Sequence, residues 1–258
     1  MSSQECYRPC PPEPCHPEWR GSMFLECVII CVDYADFLAW TLPFNRPHFD
    51  RLIVVTSTTD KKTQKLCEHY HVRCVQTDAF FRDEKAFDKA AGLNIGLEQL
   101  ELKDWVAVMD ADIMLPPRAK EMIERSQPNK DFIYGIDRVN CPNFESLMDF
   151  ISEPEMQYFG QAFVAMNRFD MGARLVCEQG YVPIGFFQLY HPKCSQTLRY
   201  CERHDSHGNH SDMNHASQWP RNRRGFIPEV IGIHLSSDGD SQNNWRGRKS
   251  KAFARAAR

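Results

Sequence analysis

The stretch Trp105-Val-Ala-Val-Met-Asp-Ala-Asp-Ile-Met-Leu-Pro116 is an apolar run that stops at two carboxylates. Its apolar residues, some of them β-branched, predict a buried strand of a parallel sheet. Ligands bind at the carboxyl ends of such strands. Acidic side chains are costly to bury there unless they pair with another group or bind a metal. Two acids one residue apart suit Mn²⁺ or Mg²⁺, which prefer hard oxygen ligands and leave positions open for a diphosphate. Asp is also common in turns, so Asp110-Ala111-Asp112 alone leaves a plain polar turn as the alternative.

The composition of the chain is that of an ordinary globular protein. It has 258 residues, of which 42% are hydrophobic and 25% charged, with a net charge of −3. This length allows one large domain or two small ones, and the overall charge gives no sign of general nucleic-acid binding. From Arg221 onward basic residues outnumber acidic ones. Such a basic stretch is either solvated surface or contacts phosphates.

The cysteines indicate the compartment. There are 11 of them, an odd number, and the N-terminus has no signal-peptide pattern. We therefore expect free thiols in a reducing compartment, the cytoplasm of a bacterium or of a phage-infected host. No run approaches 18 apolar residues, so we expect no membrane span.

Two groups of thiols and imidazoles leave a structural zinc ion open. The segment 1–22 is rich in proline, which prevents regular structure. It is either a zinc site or an irregular lead-in, because its spacing matches no common zinc finger. A second group recurs every three residues and either binds zinc or lines an acceptor site. The two groups are Cys6, Cys10, Cys15 and His16, and Cys201, His204, His207 and His210.

Strand and helix patterns alternate in the first half of the chain, which predicts an α/β fold with parallel strands. We expect strands at Cys27–Val32, Leu52–Thr56, Val72–Val75 and the run ending at Asp110. In the second half we expect strands at Asp131–Ile136, Tyr181–Tyr190 and Gly225–His234 and a helical piece around 212–219. Periodicity does not decide between strand and helix for 159–166.

The pattern from Cys27 through Pro116, resumed from Asp212 through Arg248, resembles the GT-A nucleotide-sugar glycosyltransferases, particularly their family-2-like group. The resemblance implies a GT-A-like Rossmann-type mixed sheet flanked by helices. It implies a domain over 23–238 with a nucleotide-binding half (23–116) and an acceptor half (117–238). The Pro/Cys-rich segment 1–22 precedes this domain, and a basic tail (239–258) follows it.

The resemblance also implies a metal site. Asp112 is expected to bind the metal directly, and Asp110 to contact the ribose and the ion. His234, at the end of an apolar strand, matches a third metal ligand. Taken alone, a histidine in that place is more often a structural residue.

The loops of the first half are expected to line the nucleotide pocket. By the resemblance, Asp33 and Tyr34 lie beside the base and ribose. Thr56 and Asp60 follow the second strand, and Asp60 accepts a hydrogen bond from a uracil imide N–H or serves only as a helix N-cap. Lys89 contacts the base or the diphosphate, or is a solvated helix residue.

Two further elements complete the expected site. The resemblance makes Asp212 the general base that deprotonates the acceptor, with His210 or His215 as substitutes and a plain helix cap as the alternative. In the tail, Arg246 and Arg248 are expected to close on phosphate oxygens.

The resemblance implies a metal-dependent transfer of a sugar from a UDP-sugar to an acceptor hydroxyl, with inversion. The acceptor is left open among polysaccharide, protein, lipid-linked glycan and a hydroxymethylated DNA base. One alternative is a nucleotidyltransferase, although the sequence after the first strand, Asp33-Tyr-Ala-Asp-Phe37, lacks a glycine-rich phosphate loop. The other is a non-catalytic, zinc-stabilised nucleotide-binding module.

Overall fold

The computed structural model describes residues 23–84, 87–153, 161–172, 174, 176–177, 180–194, 196–202 and 211–235. The strands of this part, in chain order, are β1 (Leu25–Ile30), β2 (Arg51–Thr56), β3 (Arg73–Gln76), β4 (Trp105–Asp110), β5 (Ile113–Met114), β6 (Ile133–Cys141), β7 (Asp170–Met171), β8 (Val176–Cys177), β9 (Gly180–Tyr181), β10 (Phe187–Tyr190) and β11 (Arg224–Leu235). The α-helices are α1 (Ala35–Asn45), α2 (Lys61–His69), α3 (Lys89–Leu97), α4 (Ala119–Arg125), α5 (Phe144–Ile151), α6 (Gln161–Arg168) and α7 (Ser211–Ala216).

One mixed sheet joins both halves of the chain in the order β3-β2-β1-β4-β10-β6-β11-β5, with β7 paired to β6. The strands β3, β2, β1 and β4 are parallel, as predicted. β10 lies antiparallel between β4 and β6, whereas β11 is parallel to β6. The prediction of a mixed α/β sheet flanked by helices is confirmed.

The first-half strands are covered on both faces. Leu38 of α1 and Cys67 of α2 belong to the core on one face, and Leu93 of α3 belongs to the core on the other. Gly96 lets α3 approach the sheet closely, since a Cβ there would lie 2.5 Å from Val28. Strands buried on both faces are nearly continuously apolar, which is why the sequence marked them clearly.

The second half departs from the expected elements in two places and shows which element forms in the segment that periodicity left open. The strand expected over Tyr181–Tyr190 is divided into β9, which pairs with β8, and β10. Residues 161–168 form a helix, and β6 continues past Ile136 to Cys141. In the described part of the chain, no helix is long and apolar enough to cross a membrane.

Helix α1 fixes the segment that follows β4. The buried Thr41 hydroxyl donates to the Ala111 carbonyl at 2.7 Å, and Asn45 Nδ2 donates to the Ile113 carbonyl at 2.7 Å. Asn45 Oδ1 in turn accepts from the Leu115 N–H at 2.8 Å. These bonds satisfy buried backbone groups at the point where the acidic pair lies.

Candidate active site

Lys89 joins two carboxylates from opposite halves of the chain. Its Nζ lies 2.7 Å from Asp110 Oδ1 and 3.3 Å from Asp212 Oδ2. The Lys89 side chain is only 4% exposed, and a buried ammonium is stable only when it is paired. Burial lowers the pKa of Lys89, but the two carboxylates outweigh burial and raise that pKa above its usual value. Lys89 is therefore a charged member of the site and not a solvated helix residue.

Asp110 ends β4 and is the half-buried centre of a group of acids. Burial raises its pKa to about 6; Lys89 opposes this shift, while Asp112 and Asp212 add to it. Three carboxylates and one ammonium thus share one edge of the sheet. Such a group favours binding of a further cation.

Asp212 is held against a glycine. It lies in the first turn of α7, is mostly buried, and its backbone carbonyl accepts from Gln188 Nε2 at 3.0 Å. A Cβ at Gly185 would lie 1.7 Å from Asp212 Oδ2, so only glycine leaves room for the carboxylate. No pattern in the sequence connects Gly185 with Asp212.

Asp112 and His234 are brought together by the pairing of β5 with β11. Ile113 pairs with His234, and the Leu235 N–H donates to the Asp112 carbonyl at 2.9 Å. His234 Nε2 lies 3.5 Å from Asp112 Oδ2, and His234 Nδ1 lies 3.1 Å from Asn140 Oδ1. Burial favours a raised pKa for Asp112, but His234 and then Arg138 bring that pKa below its usual value. The carboxylate is therefore ionised.

The geometry of this pair fits two ligands of one metal ion. When the Nδ1–H of His234 donates to Asn140, Nε2 presents its lone pair toward Asp112, the arrangement common to metal-binding histidines. Two ligands at about 2.1 Å from a metal lie about 3 Å apart, close to the observed separation. In the described ranges, however, no three His, Cys, Asp or Glu side chains stand together as a metal site. The structure thus joins two of the three predicted ligands, while Asp110 faces Lys89.

Asp60 organises the loop after β2. It caps α2 by accepting from the Thr63 N–H at 3.1 Å. Its Oδ2 accepts from the Thr63 hydroxyl at 2.6 Å, the Asp33 N–H at 2.8 Å and the Thr56 hydroxyl at 3.2 Å. With 5% of its surface exposed, Asp60 fixes the ends of β1 and β2; a contact with the base stays a prediction.

The loop after β1 is held in a defined conformation. Asp33 is exposed and adopts a left-handed backbone with φ of 58°, which Asp tolerates better than most residues. Burial raises its pKa, and Asp60 adds to the rise. Tyr34 is half-buried and packs on Phe37 at 5.4 Å between ring centroids. Both residues lie at the carboxyl end of β1, where the nucleotide is expected.

The other predicted residues are either buried in the core or lie outside the described part of the chain. His215 is fully buried, stacks on Tyr200 at 3.9 Å between ring centroids, and has a pKa that burial lowers to about 3. It is therefore placed as a core residue and not as a base. Arg246 and Arg248 of the tail lie outside the described residues, as do His210 and the thiols of 1–22.

Asn140 and Arg138 were not among the predicted site residues, because the strand expected from the sequence ended at Ile136. Both side chains lie on β6, at alternate positions beside the acidic pair. The available signal was the polar residues themselves, since Arg138 and Asn140, together with Asp137, interrupt an otherwise apolar strand over 133–141. Polar residues at alternate positions of a central strand point to a site on one of its faces.

Comparisons with known proteins show the fold. A mycobacterial protein of known structure aligns with a TM-score of 0.51 at 11% identity, covering 84% of this chain and 69% of that one. Glucosyl-3-phosphoglycerate synthase from Mycobacterium tuberculosis, in complex with Mn²⁺, uridine diphosphate and phosphoglyceric acid, aligns with a TM-score of 0.50 at 11% identity over 84% of this chain and 72% of its own. The chain has a GT-A-like fold.

A third structure has the same fold, and the protein is named for a different reaction. The inositol-1-phosphate CTP transferase from T. maritima aligns with a TM-score of 0.50 at 11% identity, covering 92% of this chain and 96% of that one. No protein-family model matches the chain, and no curated protein matches it in sequence. At this identity the comparisons establish the GT-A-like fold and leave the reaction to be argued from the site.

Proposed function

We propose that the protein is a metal-dependent glycosyltransferase that moves a sugar from a UDP-sugar to an acceptor hydroxyl. The observation that carries this proposal is the Lys89 bridge, which places Asp110 and Asp212 around one ammonium group at 2.7 and 3.3 Å. Asp110, the donor-side acid, and Asp212, the candidate base, therefore lie beside the same ammonium group. The GT-A-like fold and its neighbour with bound UDP and Mn²⁺ support the choice of donor.

In the proposed reaction the acceptor oxygen attacks the anomeric carbon of the donor sugar from the face opposite the diphosphate. The bond from that carbon to the diphosphate oxygen breaks, and the electron pair leaves with UDP. The proton of the acceptor hydroxyl passes to Asp212, so inversion follows from a single displacement. Asp212 is suited to this role because Lys89 pairs with its carboxylate and Gly185 leaves room for it at this position.

Asp112 and His234 would hold a divalent cation, Mn²⁺ or Mg²⁺, which supplies charge neutralisation for the departing diphosphate. Asn140 orients His234 for that purpose. Asp33, Tyr34 and Thr56 lie at the carboxyl ends of β1 and β2, where the resemblance puts the nucleotide. Arg246 and Arg248 are proposed to close on the phosphates.

The test is release of UDP from UDP-sugars with and without Mn²⁺. We expect release that depends on Mn²⁺ and is lost in Asp112→Ala, while Asp149→Ala, an exposed acid on α5, behaves as wild type. A screen with glycans and with DNA carrying a hydroxymethylated base then addresses the acceptor. No binding of any nucleoside diphosphate in the presence of metal contradicts the proposal.

Nucleotidyl transfer is the second candidate, because the CTP transferase neighbour covers nearly the whole chain. The two reactions differ in their leaving groups. A glycosyltransferase releases a nucleoside diphosphate, whereas a nucleotidyltransferase consumes CTP and a phosphorylated alcohol and releases pyrophosphate. Pyrophosphate release from CTP and no UDP release from UDP-sugars would favour the second candidate.

A further inference from the structure

A small pocket lies beside the site just described. Its walls come from β6, from the β8–β9 hairpin and from the segment before β10, all in the second half of the chain. It encloses about 230 Å³, including the part open to solvent. The residues that line it are Ile136, Asp137, Arg138, Gly172, Arg174, Tyr181, Ile184 and Phe186.

The pocket adjoins the candidate reacting groups on two sides. The carbonyl of Phe186 accepts from the Asp110 N–H at 3.2 Å. Gly185, next to it, contacts the Asp212 carboxylate. Arg138, on the facing wall, is near enough to Asp112 to affect its ionisation. Two residues that line the pocket, Ile184 and Phe186, therefore flank the glycine that contacts Asp212.

Arg138 is the group in the pocket that lacks a full set of partners. Its side chain lies between Gly172 and the ring of Phe186, 4.5 Å from the ring centroid. Its Nε is buried and has no hydrogen-bond partner among the described residues. A guanidinium buried in this way is costly unless an anion completes its hydrogen bonds.

Among the described residues that line the pocket, the other charged side chains, Asp137 and Arg174, pair with each other. Arg174 binds the Asp137 carboxylate through two nitrogens and lies over the ring of Phe226 at 4.2 Å. His234 faces Asp112. The unsatisfied positive charge of the pocket therefore belongs to Arg138.

We propose that this pocket is the acceptor subsite and that Arg138 binds a phosphate or carboxylate group carried by a small acceptor. This inference rests on the proposed glycosyl transfer. The space at the pocket includes open solvent, so the anionic group lies at its mouth beside Arg138 and the rest of the acceptor lies outside. A guanidinium binds such oxyanions through paired N–H donors. The hydroxyl to be glycosylated then lies toward Asp212.

The first experiment titrates the whole protein with inorganic phosphate and with acetate, using calorimetry at constant ionic strength. We expect saturable binding of at least one of these anions and a loss of at least tenfold in Arg138→Met. Arg125→Met, at the exposed end of α4, is the matched control and should bind as wild type does. Equal anion binding by wild type and Arg138→Met overturns the proposal.

A second measurement does not depend on the folding of the methionine variant. In wild-type protein labelled with ¹⁵N-arginine, phosphate or acetate should shift the Arg138 Nε–H resonance, which Arg138→Lys identifies by its absence. An Arg138 signal that is unaffected by both anions contradicts the proposal.

The donor and a polymeric acceptor are tested separately. UDP binding is compared without metal, so that the effect of Arg138 on Asp112 does not enter; a tenfold loss in Arg138→Met would assign Arg138 to the donor diphosphate and overturn the proposal. Glycerol 3-phosphate should bind at least as well as an eight-residue oligothymidylate. If the oligonucleotide binds tenfold more tightly than glycerol 3-phosphate and this binding is lost in Arg138→Met, the proposal of a small acceptor is overturned. If UDP does not bind at all, the proposed function fails while the anion site stands.

Discussion

Lys89 of α3 and Asp212 of α7 are 123 residues apart in the sequence, and their charged groups lie 3.3 Å apart. The ammonium of Lys89 is shared with Asp110 at 2.7 Å, so one buried cation ties the end of β4 to the start of α7. In Lys89→Met two carboxylates lose their partner, and we expect the free energy of unfolding to fall by about 2–3 kcal/mol, allowing for the partial exposure of Asp110. Urea-induced unfolding measures this change.

Lys89→Arg is the control for the charge. It keeps a cation in place and should lose less stability than Lys89→Met, although the guanidinium is larger than the ammonium. A stability of Lys89→Met equal to that of wild type would show that the bridge does not hold the two halves together.

Gly185→Ala tests the position of Asp212. The added methyl group overlaps the carboxylate, so the carboxylate must move and UDP-sugar turnover should fall at least tenfold. The matched comparison is Asp212→Ala, which removes the overlapping atoms. Adding Gly185→Ala to Asp212→Ala should cost little further stability, as a double-mutant cycle reports. Additive losses of stability in that cycle would contradict the contact.

Asn140→Ala tests the orientation of His234. Without the Asn140 carbonyl oxygen, His234 loses the partner of its Nδ1, and the affinity for Mn²⁺ in the presence of UDP should fall about 10-fold or more. Electron paramagnetic resonance of free Mn²⁺ measures this affinity. Asn222→Ala, an exposed residue of the turn just before β11, should leave it unchanged. Unaltered Mn²⁺ affinity in Asn140→Ala would argue against His234 as a ligand.

Asn45→Ala tests the clamp on the segment after β4. The variant leaves the Ile113 carbonyl and the Leu115 N–H buried without their partner, so we expect a loss of about 2–3 kcal/mol. Thr41→Val removes one donor to the Ala111 carbonyl and should lose about 1 kcal/mol. Chemical denaturation that ranks the two variants in the opposite order would contradict this account.

His215 makes stability depend on pH. Its pKa is about 3 in the folded protein and about 6.5 in the unfolded chain, so below pH 6.5 the unfolded state binds more protons. This contribution to stability is complete above pH 6.5 and is lost as the pH falls toward 3, by up to about 1.4 kcal/mol per unit. The difference between wild type and His215→Phe, measured by denaturation at pH 7, 6 and 5, isolates it. Parallel pH profiles for the two proteins would show that His215 is not buried in its neutral form.

The sequence predicted the first half of the fold more fully than the second. Strands β1, β2 and β4 are buried on both faces, so their apolar runs were visible. The strand β6 was ended too early because Arg138 and Asn140 give it polar positions that serve the site. The antiparallel place of β10 between β4 and β6 depends on pairing between distant segments, which periodicity does not report.

The site was predicted as residues and not as contacts. Asp110, Asp112, Asp212 and His234 were found because acids and a histidine at the ends of apolar runs are unusual. The Lys89 bridge joins residues far apart in the sequence, and the glycine against Asp212 matters only through its missing side chain. Neither relationship produces a pattern that can be recognised in the local sequence.

The place of β10 also sets the order in which the chain can complete its fold. Until Phe187–Tyr190 have been synthesised, β4 and β6 have no neighbour between them, and both present unpaired backbone groups at an apolar edge. A ribosome-bound or truncated chain that stops before Phe187 is therefore a template for aggregation. Closing the sheet requires contacts across some 80 residues, which slows folding and makes the two halves acquire their stability together.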